Sequence, residues 1–195
     1  MEKFKPKYES SEPEVKEYKS KSEKSKEKIK EIKRMIERAL AQSLEGANLE
    51  KESGAALWLK REKDKLLMVY LQRSAWGPDY YIEAGVCRKK DIPKGENPNI
   101  VFCPIRDRIE SIVSKKDEQS KLPEKERLKH IKEVQQTLDF SKEVEKETPA
   151  SEDLILKAKI DAVEQVVEKY IPDWLKESLT ELTKNSDKYP LVGEE

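Results

Sequence analysis

The chain is short of the residues that most often mark an enzyme or a metal protein. It holds one histidine, His130, and two cysteines, Cys87 and Cys103. Zinc sites draw on paired Cys or His ligands at close spacing, and no such pairing occurs. A cysteine nucleophile needs a base beside it, and His130 lies in the charged run KERLKHIKE. His130 therefore reads as solvated, and the thiols as small, reduced, half-buried side chains. A disulfide between them is the lesser reading. Glycine-rich phosphate and dinucleotide turns are missing, which removes the commonest nucleotide folds. No apolar run approaches the ~20 residues that span a bilayer. The opening MEKFKPKYESSEPEVKEYKSKSEKSKEK has no apolar segment of the kind a secretory signal needs. The expectation is a cytoplasmic protein with no cofactor and no metal.

An excess of one charge is lacking too. Lys and Arg number 40, and Asp and Glu number 40. A neutral chain has no overall drive toward nucleic acid or anionic lipid. Charged residues make up 41% and hydrophobic ones 35%, so at least one stretch is expected to stay fully solvated. Residues 1–23, with Phe4, Tyr8, Val15 and Tyr18 scattered aperiodically, fit a disordered tail, and a mixed-charge helical coil is the alternative.

What is present is a change of period. Ile29, Ile32, Ile36, Leu40 and Leu44 recur at three- and four-residue steps, which predicts an amphipathic helix from about Lys24, stopped at Gly46. Three strand-like runs follow, Ala55 to Lys60, Leu66 to Ser74 and Tyr80 to Cys87, joined by REKDK and AWGPD. Short joints imply an antiparallel meander. After the polar stretch KKDIPKGENPN, the run IVFC suggests a short fourth strand. Four helical patterns complete the chain. Ile105, Ile109, Ile112 and Val113 mark the first. Leu128, Ile131, Val134 and Leu138, behind Pro123, mark the second. Leu156, Ile160, Val163, Val167 and Tyr170 mark the third. Trp174, Leu175, Leu179 and Leu182 mark the fourth, which Pro172 is expected to open by breaking the third. The fold class is therefore α+β: a three- to four-stranded antiparallel β-meander packed with an N-terminal helix and several C-terminal helices. It forms a single domain over residues 24–185, with a flexible tail at 186–195.

Side chains alternate across a strand. One face would carry Ala55, Leu57, Leu59, Leu67, Val69, Leu71, Tyr80, Ile82, Ala84 and Val86, the main core. The other would carry Trp58, Leu66, Met68, Tyr70, Gln72, Tyr81, Glu83 and Cys87. This second face is not polar. Either the C-terminal helices cover Trp58, Met68, Tyr70 and Tyr81, the favoured reading, or a binding face is open there.

The segments LQRSAWGPDYYIEAGV and FCPIRDRIESI resemble the domain of unknown function 4304 family. Gln72-Arg73-Ser74, Tyr80-Tyr81-Ile82-Glu83-Ala84-Gly85 and Cys103-Pro104-Ile105-Arg106-Asp107-Arg108 stand at the family's three short motifs. KYIPDWLKESLTEL resembles the family's ending, and the resemblance runs from about Lys33 to Leu182. Pro104 and Glu83 depart from the His and Asn common there. The resemblance implies small stand-alone cytoplasmic proteins and no catalytic residues.

The candidate binding residues are Gln72, Ser74, Trp76, Tyr81, Arg106 and Arg108, at the rim of the sheet. Arg106 and Arg108 are expected in the first turn of a helix, where the dipole opposes them. Two guanidinium forks suit a carboxylate or phosphate; surface pairing with Asp107, Glu110 or Glu83 is the plainer reading. The functional expectation is a non-catalytic protein-interaction module, a monomer or weak homodimer, with another protein as partner. The alternative is single-stranded nucleic-acid binding, with Trp58, Tyr70 and Tyr81 stacking bases.

Overall fold

The computed structural model describes residues 12–146, 148–185 and 188–189, with side chains from Glu23 onward. Helix α1 spans Glu12–Glu45. Its stripe Ile32, Ile36, Leu40 and Leu44 is wholly buried, as the spacing predicts. The helix reaches back through Glu12–Ser22, inside the expected tail, because Glu and Lys are good helix formers once a docked segment has supplied the nucleus. Residues 1–11 of that tail lie outside the described residues.

The stop is also not quite the expected one. Asn48, at φ 56°, takes the left-handed position, with its N–H on the Glu45 carbonyl and the Leu49 N–H on the Leu44 carbonyl. That is a Schellman ending with Asn48 in the place glycine usually fills.

Five strands follow in simple meander order, all antiparallel: β1 (Glu50–Lys51), β2 (Leu57–Glu62), β3 (Lys65–Arg73), β4 (Tyr80–Arg88) and β5 (Ile105–Arg108). The α+β meander with an N-terminal helix and C-terminal helices is thus the observed class, with one or two strands more than expected. IVFC is not the extra strand. Ile100–Phe102 forms a 3₁₀ turn capped by Asn99, and β5 lies where a helix was expected to begin. Arg106 and Arg108 therefore sit on an edge strand, so the conflict with a helix dipole disappears for Arg106, and Arg108 is the residue that precedes helix α2. The apolar residue Ile105 continues the period-two burial of β4 through its pairing with Val86.

Helices α2 (Ile109–Gln119), α3 (Glu124–Leu138), α4 (Ser141–Glu145) and α5 (Leu154–Lys184) complete the chain. Pro172 does not break α5, which was expected to be two helices. The buried stripe keeps its phase across the proline, through Val167, Tyr170, Ile171, Trp174, Leu175 and Leu182. Burial of that stripe outweighs the roughly 3 kcal/mol that an interior proline costs. Of the expected C-terminal tail, Lys188 and Tyr189 are described, and Tyr189 packs on the main core. The rest of that tail lies outside the described residues.

The main core lies between the helices and one face of the sheet. Helix α5 lies on β4, α1 lies along α5, and α2 crosses β4 and β5. The sheet contributes Trp58, Leu67, Val69, Leu71, Tyr80, Ile82, Ala84 and Val86. The face assignment in β3 and β4 is as expected, but β2 is out by one residue. Trp58 pairs with Val69 and points into the main core, while Leu57 and Leu59 pair with Tyr70 and Met68 on the second face. A one-residue shift exchanges the faces of a whole strand. The indole pulls β2 into this register, since it is the largest side chain of the strand and is 1% exposed.

Candidate functional site

The second sheet face is covered in part, and not by the helices favoured in the sequence reading. The β4–β5 connection, residues 89–104, folds back over it. Ile92, Ile100 and Cys103 pack on Leu57, Leu59, Leu66, Met68 and Cys87. Gly85 makes this close approach available. A Cβ there would stand 2.7 Å from Ile100 Cδ1 and 2.8 Å from Cys103 Sγ, so no other residue fits without moving the loop. The start of the loop is held by a buried ion pair. Arg88 Nη2 lies 2.7 Å from Asp91 Oδ1, and the Arg88 backbone N–H donates to Asp91 Oδ2 at 2.7 Å. Arg88 also donates to the Tyr189 carbonyl. The Asp91 hydrogen bonds push the guanidinium pKa further up.

The loop covers the face from Leu66 and Cys87 as far as Leu57, where Tyr70 packs at the edge of the cluster. Toward the β3–β4 turn the face is open, and here the candidate residues separate into two kinds. Tyr81 and Tyr70 are half-buried, Gln72 is exposed opposite Tyr81, and Arg106 and Arg108 are exposed on β5. Arg108 lies over the Tyr81 ring, 4.5 Å from its centre, and its Nε donates to Glu83 Oε1 at 3.0 Å. The register makes this contact, since Glu83 pairs with Arg108 and Gly85 with Arg106. Arg106 makes no ion pair among the described residues. The arrangement is a tyrosine–arginine surface with one guanidinium oriented and one free.

Ser74 and Trp76 belong to the turn. Ser74 is buried; its N–H donates to the Asp79 carbonyl, and its Oγ accepts from the Trp76 N–H at 3.1 Å. Arg73 Nε donates to the Gly77 carbonyl. These bonds fix a turn whose indole projects into solvent: Trp76 is 98% exposed. Ser74 thus holds the turn from a buried position. Trp58, grouped with the second face in the sequence reading, is absent from this surface.

A neighbouring groove of about 330 Å³ was not anticipated. It runs between the start of β4 and the end of α3, and Asp79, Tyr81, Glu110, Gln135 and Asp139 line it. Asp79 and Asp139 form an isolated backbone bridge that brings their carboxyls together. Burial, and then the neighbouring carboxyl, raises the pKa of Asp79. The Ser141 hydroxyl and N–H lower that of Asp139. The two neighbouring carboxyls are thus set apart, Asp79 above the ordinary carboxylate value and Asp139 below it. No sequence pattern links residues 60 positions apart; only the DF pair after α3 and the PD pair after Gly77, both turn-forming, mark the two ends.

His130 and the cysteines stand apart from this region. His130 Nδ1 is 2.9 Å from Asp117 Oδ2, joining α2 to α3. Cys87 and Cys103 are free thiols, both buried. Among the described residues there is no group of three or more His, Cys, Asp or Glu side chains placed to hold a metal ion, and no helix is long and apolar enough to cross a membrane.

No curated protein and no solved structure matches the chain. Residues 51–177 match the pattern of a family described as a domain of unknown function. That stretch holds nearly all of the sheet, helices α2 to α4, most of α5 and every candidate residue, and by it the chain belongs to the DUF4304 family.

Proposed function

We propose that this protein is a non-catalytic interaction module of the cytoplasm, and that it docks on one protein partner through the β3–β4 turn and the open part of the second sheet face. The observation that carries this reading is Trp76. An indole 98% exposed, on a turn fixed by Ser74 and Arg73, holds apolar surface in water at a standing cost. Trp, Tyr and Arg are the residues on which interface energy concentrates. Tyr81, Tyr70, Arg106 and Arg108 supply the rest of such a surface. Arg106 has a free fork for a carboxylate on the partner, and Trp76 suits an apolar pocket.

The test is co-purification from the source cell with the wild-type chain and with Trp76→Ala. A stoichiometric partner is expected with the wild type, bound roughly 30-fold more weakly by Trp76→Ala, in line with a hot-spot loss of about 2 kcal/mol. Absence of any stoichiometric partner, or equal capture by the variant, overturns the reading.

Nucleic-acid binding has less support. Of its three aromatic platforms, Trp58 is in the main core, and the Tyr81 ring already carries the Arg108 guanidinium. Salt-dependent binding to a single-stranded oligonucleotide, lost in a Tyr70→Ala variant, would restore it.

A further inference from the structure

The two cysteines of the chain are far apart in its local structure but together in space. Cys87 is on β4, facing the second side of the sheet, and Cys103 ends the loop that covers that side. Cys103 Sγ sits over Gly85, two residues from Cys87 on the same face of the strand, and the two cysteines share one small apolar cluster. Both are buried, at 0% and 4% exposure, in a small cluster with Leu57, Leu59, Leu66, Met68 and Ile100. The segment between them, residues 88–102, holds Ile92 and Ile100, the other two covering side chains.

We propose that Cys87 and Cys103 are a reversible redox fastening of this cover: a disulfide between them locks the β4–β5 loop onto the second sheet face, and its reduction leaves the loop held by the small apolar cluster and the Arg88–Asp91 pair. The oxidant is a low-molecular-weight disulfide such as oxidised glutathione. One protein thiolate attacks a glutathione sulfur, breaking its S–S bond and releasing one reduced glutathione. The second protein thiolate then attacks the protein sulfur of the mixed disulfide and releases the other. Two protein thiols lose two protons and two electrons, and one oxidised glutathione takes them up to become two reduced molecules.

Gly85 bears on the geometry as well as on the cover. By admitting Cys103 to the surface of β4, it places the two sulfurs on neighbouring positions of one face. The neighbouring Cys87 side chain, and then burial, push the Cys103 thiol well above the ordinary thiol range. The closed pair is therefore slow to ionise, and exchange waits on local opening of the loop. Cys103 lies three residues before Arg106, so the fastening also fixes the approach to β5. The proposal does not depend on the docking reading, because its test reads the thiols and the stability of the chain alone.

The experiment takes the full chain through incubation with oxidised glutathione, or with dithiothreitol, followed by acid quench and alkylation. Intact mass should show a monomer that has lost two hydrogens and accepts no alkyl group after oxidation, and two alkyl groups after reduction. The Tm of the oxidised form should be higher by about 5–10 °C, as expected for closing a loop of this length. Cys87→Ser should show no such rise, and the oxidised and reduced wild type suffice if that variant does not fold. Free thiols, single glutathione adducts or linked dimers after prolonged oxidation would overturn the proposal. An internal disulfide with an unchanged or lower Tm would overturn it too, since the bond would then not fasten the loop.

Discussion

The two faces of the sheet are both apolar along β2, β3 and β4, yet they are covered in different ways. On one face, α1, α2 and α5 lay down a layer in which Ile32, Ile36, Ile82, Val86 and Val167 all fall to 1% exposure or less. On the other, a loop with two 3₁₀ turns covers part of the face with three side chains, Ile92, Ile100 and Cys103. The first arrangement draws its stability from buried area. The second depends on close fit at one glycine and one ion pair. Where the fit ends, the surface is left to Tyr70, Tyr81, Arg106 and Arg108. The difference teaches that an apolar strand pattern identifies a covered face without identifying what covers it.

The comparison can be broken most forcefully from the helix side. Trp58→Ala should cost about 3–5 kcal/mol in urea unfolding. Trp58→Phe should cost clearly less, because the indole N–H is buried without a partner and its loss removes an unsatisfied donor. Equal losses for the two variants would show that a smaller aromatic ring recovers none of the packing of Trp58.

On the loop side, Gly85→Ala should cost about 1–3 kcal/mol, as overpacking does. The change should appear as lost amide protection in residues 89–103 while α5 keeps its protection. A variant that left loop exchange unaltered would show that the cover is not seated through Gly85.

The smallest effect separates the faces by pH. Burial raises the Tyr80 pKa to about 12 from 10.0, and its hydroxyl donates to the Ile29 carbonyl of α1. The folded state keeps this proton when the unfolded chain releases it. The contribution of the buried hydroxyl is therefore complete below pH 10 and is lost as pH rises from 10 toward 12. Tyr80→Phe should cost about 1 kcal/mol at neutral pH and flatten the alkaline fall in stability over that window. A fall of unchanged steepness in Tyr80→Phe would assign it to other groups.

Much of this was legible beforehand, for reasons that differ element by element. The α1 stripe and the alternation in β3 and β4 are strong periods, and they gave the class and the main core. Period alone did not fix the phase of β2, where Leu57, Trp58 and Leu59 are all apolar. It also misled at Pro172, where local propensity yields to a stripe that stays in phase. Arg106 and Arg108 could be picked out as unusual, but their strand setting could not, because the residues from Ile105 to Ile112 suit helix spacing as well. The Asp79–Asp139 contact leaves no local trace, since it arises from the meeting of two distant turns.

Helix α1 gives the family boundary a thermodynamic meaning. The family pattern begins at Lys51, just beyond it, yet Ile32, Ile36, Leu40 and Leu44 are wholly buried, and Lys28 donates to the carbonyls of Lys146 and Thr148 at 2.6 and 2.7 Å. A stretch cut at the recognised start would leave the flank of α5 that α1 occupies facing water. The cooperative unit of this protein is therefore larger than the unit its kinship defines.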